Sequence, residues 1–147
     1  MGGKAHTMIF QVDVDAKRSA AVDALTTEDG IKGWWTDQAK VPTKIGSTLE
    51  MTFPGMPMPF DLELVESNDD RVEWLSKSFP PPWAGTRMTW ELTDNPDADG
   101  TRIVLRHSGW TEGNPMVGMV TVGWGQIFAN LKSYVETGKP DPFFRNG

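Results

Sequence analysis

Two alternating segments that run straight into one long helical pattern set the strongest limit on what this chain can fold into. Residues 85–94 (GTRMTWELTD) put Met88, Trp90 and Leu92 on one face, with Arg87, Thr89, Glu91 and Thr93 on the other. Residues 99–109 (DGTRIVLRHSG) repeat the pattern, with Ile103, Leu105 and His107 in phase. Residues 115–138 then carry Val117, Val120, Trp124, Ile127, Phe128, Leu131 and Val135, spaced three or four apart as one helical stripe. Asn114-Pro115 suits a helix start, Gly138 suits a C-terminal cap, and Pro140 blocks continuation. At 1.5 Å per residue that helix is about 33 Å long, enough to cross a small sheet. The predicted architecture is a curved antiparallel sheet gripping the helix, with room for an apolar hollow between them.

The rest of the chain supplies the remaining strands. Residues 8–14 alternate, with Phe10, Val12 and Val14 on one face. Asp15 can cap a short helix over 16–25, and Thr26 or Thr27 a second ending near Gly33, directly before Trp34 and Trp35. Residues 48–53 point Leu49, Met51 and Phe53 inward. The loop PGMPMP (54–59) cannot continue that strand, because proline lacks the ladder donor. Residues 60–65 and 71–77 read as two more strands joined by a polar turn. The expected order is β-α-α-β-β-β-β-β-α, an α+β fold on a six-stranded sheet. Meander parity puts PGMPMP, SFPPPWAG (78–85) and SGWTEGNP (108–115) at one end, and the plain turns SNDD and NPDADG at the other. The first end is expected to be the mouth of the hollow.

Composition narrows the function classes. At 147 residues a single domain over 1–147 is expected. The chain has no cysteine, which excludes disulfides and thiolate metal sites and fits a cytoplasmic protein. No signal-peptide run is evident in MGGKAHTMIF, and no stretch approaches a membrane span. A net charge of −6 without Lys/Arg clusters argues against nucleic acid. Seven Trp, seven Phe and eight Met stand against one Tyr, side chains that fill cores and also line adaptable pockets.

Four stretches carry a resemblance: VDAKRSAAVDALTTEDGIKGWW (13–35 region), GTRMTWELTD, DGTRIVLRHSGW and GWGQIFANLKSYVETGKP (123–140). With these the chain resembles the START-like, Bet v 1-like (SRPBCC) superfamily, in the branch named after the activator of Hsp90 ATPase. That resemblance covers nearly the whole chain. It implies a helix-grip fold whose cavity takes lipids, sterols, polyketides or plant metabolites, and some members act as cyclases or aromatases.

The residues leave several roles open. His107 faces the concave side, either as a hydrogen-bonding or acid–base group toward a ligand or as a structural histidine with internal partners. Trp74, Trp90, Trp110 and Trp124 make either an aromatic cage or a tryptophan-filled core, and Trp35 walls the cavity or packs. Met51, Met56, Met58, Met88, Met116 and Met119 offer an adaptable lining or simple filling. Trp83 in its proline loop is a lid or a dimer contact. The candidate ligand-binding set is Trp35, Met51, Phe53, Phe60, Trp74, Ser76, Met88, Trp90, His107, Trp110, Trp124 and Phe128. No metal box, phosphate loop or nucleophile–base pairing is visible, so no cofactor and no metal are expected. The leading expectation is binding of a small hydrophobic or amphipathic molecule. A cyclase or aromatase using His107 and Ser76 is the first alternative, and a ligand-free interaction or cochaperone-like module the second; a homodimer is an open expectation under each.

Overall fold

The computed structural model describes residues 5–147; the start of the N-terminal stretch, residues 1–4, lies outside the described residues. The chain runs β1 (Ala5–Val14), α1 (Arg18–Thr26), α2 (Glu28–Trp34), β2 (Gln38–Lys40), β3 (Thr48–Thr52), β4 (Phe60–Ser67), β5 (Arg71–Ser76), β6 (Arg87–Asp94), β7 (Thr101–Thr111) and α3 (Met116–Thr137). A single antiparallel sheet has the order β1-β7-β6-β5-β4-β3-β2, so the first strand closes one edge beside the last. The fold is the expected α+β helix grip, but with seven strands rather than six. The added strand is β2, whose three residues pair with β3 from Gln38↔Thr52 to Lys40↔Glu50. Three residues are too short for alternation to reveal.

Sequence grammar explains most boundaries. Thr27 caps α2 by accepting the Gly30 N–H at 2.9 Å. The first helix begins later than its predicted start: Lys17 occupies the cap position without a side-chain bond, and Asp15 does not cap it. Asn114 Oδ1 accepts the Met116 N–H at 2.9 Å at the head of α3, and Gly138 ends it in the left-handed conformation (φ 71°). Along α3, Val120, Trp124, Ile127, Phe128, Leu131 and Val135 are buried, the predicted stripe. On the outer sheet face the charges pair: Arg102 grips Asp13 through two nitrogens (2.8 and 3.0 Å), and Arg87 and Arg71 flank Glu73. Burial raises the Glu73 pKa, but hydrogen bonds from Thr89, Arg71 and Arg87 outweigh it and hold the carboxyl below its usual range.

Two departures position the site. β7 contains a bulge, since two steps along β1 from His6 to Met8 correspond to three along β7 from Trp110 to His107. Gly109 carries it at φ 91°, a conformation glycine adopts without cost. The extra residue turns Trp110 inward as well as His107, so Trp110 is a buried strand residue and not part of a rim loop. The C-terminal tail also folds back beside the end of α2. Phe143 and Phe144 donate backbone N–H groups to the Trp34 and Trp35 carbonyls at 3.1 and 2.8 Å. The Asn146 amide ties the tail to Asp37 Oδ1 and to the Thr52 carbonyl.

Candidate functional site

The centre of the grip is filled by indoles. Trp35 stacks between Trp34 and Trp74, with ring centroids 5.5 and 5.9 Å away, and Trp90 meets Trp34, Trp74 and Trp124 edge-on. Phe128 lies flat against Trp90 at 5.8 Å. Each of these side chains is almost wholly removed from water. Edge-to-face and offset pairs are the preferred aromatic geometries, so this region is a packed core rather than an empty cage.

Toward the loop end the packing opens. A cavity of about 280 Å³ is lined by Trp35, Phe53, Pro54, Met56, Phe60, Pro80, Trp83, Met116, Met119, Val120, Gly123, Trp124, Ile127 and Phe144. Every lining residue is of an apolar type. Three features keep the space from collapsing. The loops that follow β3 and β5 bring Pro54 and Pro80, whose fixed φ stiffens them. The second of these loops is pinned by Asp61, which accepts the Ser78 and Phe79 N–H groups at 3.0 and 2.7 Å. Burial raises the Asp61 pKa, but these bonds and the Ser78 hydroxyl overcome it and keep the carboxyl below its usual range. Third, α3 presents Gly123 to the cavity, where a Cβ would meet no atom within 4 Å.

Of the twelve sequence candidates, Trp35, Phe53, Phe60 and Trp124 line this cavity. Met51, Trp74, Met88, Trp90 and Phe128 are buried in the packed region and do not. His107 and Trp110 lie against Trp83, Ser76 pairs through its backbone with Thr86, the hydrogen-bond partner of His107, and all three are outside the lining. Among the methionines, Met56, Met116 and Met119 line the cavity, Met51 and Met88 are core, and Met58 is exposed. Phe144 went unseen in the sequence. It sits far from the strands it joins, and no periodicity marks a tail that returns through backbone hydrogen bonds. Gly123 was also overlooked, because a missing side chain leaves no mark on an apolar stripe.

His107 has its tautomer fixed by its neighbours. The Trp124 indole N–H, a donor only, gives its hydrogen to Nδ1 at 3.1 Å. Nε2 therefore carries the proton and donates it to Thr86 Oγ1 at 2.9 Å. Burial pushes the imidazole pKa down to about 3, so the ring is neutral near pH 7. The Trp83 ring stands between it and the cavity, 4.9 Å from the imidazole at a steep angle. Ser76 is adjacent: its N–H donates to the Thr86 carbonyl at 2.9 Å, and its carbonyl accepts from Gly85 at 2.8 Å. The Ser76 Oγ and the Trp110 Nε1 are buried without a hydrogen-bond partner among the described residues, as are the Trp74 and Trp90 indole nitrogens in the packed core. Among the described residues, no group of three or more His, Asp and Glu is placed to hold a metal ion, and no helix is long and apolar enough to cross a membrane.

Comparison with known proteins agrees with this fold. No curated protein matches the sequence significantly. Among solved structures, the Aha1 dimer from Colwellia psychrerythraea is similar with a TM-score of 0.80 and 26% identity, over 91% of this chain and 98% of that one. DynU16, a protein of the dynemicin biosynthetic locus, shares the fold with a TM-score of 0.75 and 24% identity, over 95% of this chain and 51% of that one. CalU16 from Micromonospora echinospora does so with a TM-score of 0.71 and 21% identity, over 95% and 80% of the two chains. The family model described as Activator of Hsp90 ATPase homolog 1-like protein matches residues 15–136, which span α1 through nearly all of α3. The chain therefore belongs to the Activator of Hsp90 ATPase homolog 1-like family, a branch of the START-like, Bet v 1-like superfamily.

Proposed function

We propose that this chain binds a small apolar or amphipathic molecule in the hollow between the first half of α3 and the loop end of the sheet. One observation carries the reading: a cavity of about 280 Å³ lined by residues of apolar type, set beside a core whose other aromatic side chains are closely packed. Pockets of this composition take ligands through burial of apolar surface. DynU16, from the dynemicin biosynthetic locus, shares the fold, which is compatible with a small-molecule ligand here. A cyclase-like enzyme using His107 has less support, because both ring nitrogens are engaged and Trp83 separates the ring from the cavity. The dimeric state of the Colwellia neighbour supports a homodimer here too, which sedimentation would read directly.

The test uses the fluorescent probe N-phenyl-1-naphthylamine. Gly123→Leu adds a side chain into open space on a residue already helical, so the helix is kept while the cavity is plugged. The parent should bind the probe and the variant should not. Hydrogen exchange with the probe bound should show protection within 53–60, 78–86 and 112–124. Protection confined to the turns at 68–70 and 95–100, or equal binding by Gly123→Leu, would overturn the proposal.

A further inference from the structure

Behind Trp83 the polar atoms do not close among themselves. Among the described residues the Ser76 Oγ is buried and unpartnered, and so is the Trp110 Nε1. The Thr86 hydroxyl accepts from His107 Nε2, which leaves its own hydrogen without an acceptor among the described residues. Ser76, the last residue of β5, pairs through its backbone with Thr86, just before β6, and Trp110 lies against His107 with ring centroids 5.1 Å apart. Buried polar groups are nearly always satisfied, and leaving one unmade costs about 1–3 kcal/mol. Thr86 links the Ser76 backbone to the His107 ring, Trp110 lies against that ring, and two indoles that line the apolar cavity, Trp83 from a loop and Trp124 from α3, also pack against it.

We infer that this cluster is a polar subsite of the cavity, and that the ligand is a flat apolar body bearing one uncharged hydroxyl or carbonyl group that reaches Ser76, Thr86 and Trp110 when Trp83 turns aside. The inference rests on the apolar-ligand reading above. An uncharged head is required by the surroundings, since Trp83, Trp110 and Trp124 pack around the neutral His107 and no charged side chain joins the cluster. A hydroxyl suits it best, because it can accept from the Trp110 N–H and donate to the Ser76 Oγ. The subsite makes the cavity selective among molecules of equal apolar area. His107 has no proton to give or take in this scheme; it is a positioning residue that fixes the Thr86 hydroxyl.

The experiment compares naphthalene with 2-naphthol, two probes that differ by one hydroxyl. The parent protein should bind 2-naphthol about 5- to 10-fold more tightly, the effect of one net hydrogen bond. Ser76→Ala removes a hydroxyl that has no partner, so the fold should be kept. In that variant the ratio should fall toward one while naphthalene affinity is unchanged. The Trp110 indole N–H resonance should move with 2-naphthol and stay in place with naphthalene. A ratio at or below one in the parent, or a ratio that survives Ser76→Ala, would overturn the subsite and leave the apolar cavity standing. Failure of both probes to bind would remove the subsite and the apolar-ligand reading together.

Discussion

The middle of the grip and its loop end are built from the same kinds of side chain and do opposite things. In the middle, Trp34, Trp35, Trp74, Trp90 and Phe128 pack ring against ring, with α3 pressed on the sheet. At the loop end, Phe53, Phe60, Trp83, Met116 and Phe144 surround open space. The difference lies in what holds the backbone apart. Regular strands let facing side chains settle until they touch. Loops containing Pro54 and Pro80, the pinned loop at Asp61, the returning tail and the bare Gly123 fix the frame before the side chains can close it. Apolar composition thus gives a core or a cavity according to the scaffold beneath it. Trp35 and Trp124 belong to both regions, packed on one side and open on the other.

Substitutions separate the two regions most sharply at Trp124. It contacts Trp35, Trp90 and Phe128 and donates to His107. Trp124→Ala should cost about 3–5 kcal/mol in urea unfolding. A loss below about 1 kcal/mol would mean that the middle is not the packed region described.

Acid should act on the boundary between the regions. His107 has a folded pKa of about 3 and an unfolded one near 6.5, so the unfolded chain binds the extra proton between those values. Its contribution is fully present above pH 6.5 and is lost as pH falls toward 3. From pH 6.5 to pH 5 the loss should be about 2 kcal/mol, a window above the carboxylates that titrate lower. His107→Gln should flatten that segment of the stability curve, and an unchanged slope would show that His107 does not titrate as a buried neutral ring.

The bulge comes next in size. Gly109→Ala forces a side chain into φ 91°, with a Cβ 3.2 Å from the Thr86 Cα. A cost of about 1–3 kcal/mol is expected, together with a displaced Trp110 indole resonance. A smaller cost with an unmoved resonance would show that the inward turn of Trp110 does not depend on this glycine.

The smallest effect on stability should come from the rim. Met119 is 69% exposed and lines the cavity. Met119→Ser should change stability by no more than about 0.5 kcal/mol, as exposed substitutions do. Probe affinity should nonetheless fall several-fold. Unchanged affinity would place the ligand elsewhere.

Periodicity in the chain was enough to fix the strands from Thr48 onward apart from the end of β7, the face of α3, the inward phase of His107 and the end of the sheet that carries the cavity. Each of these is a local statement: alternation and three-four spacing are set by backbone geometry, and burying one face decides the register. Local pattern could not separate Trp35 and Trp124, which line the cavity, from Trp74 and Trp90, which fill the core, because all four point inward. Which inward residue meets space and which meets another ring depends on segments distant in sequence. Tertiary structure alone decided that Phe144 returns to the cavity, that β2 pairs at the edge, that the Gly109 bulge turns Trp110 inward, and that Trp83 stands between His107 and the hollow. The physical reason is that burial is a property of one residue's phase, whereas an empty volume is a property of every element that fails to reach it.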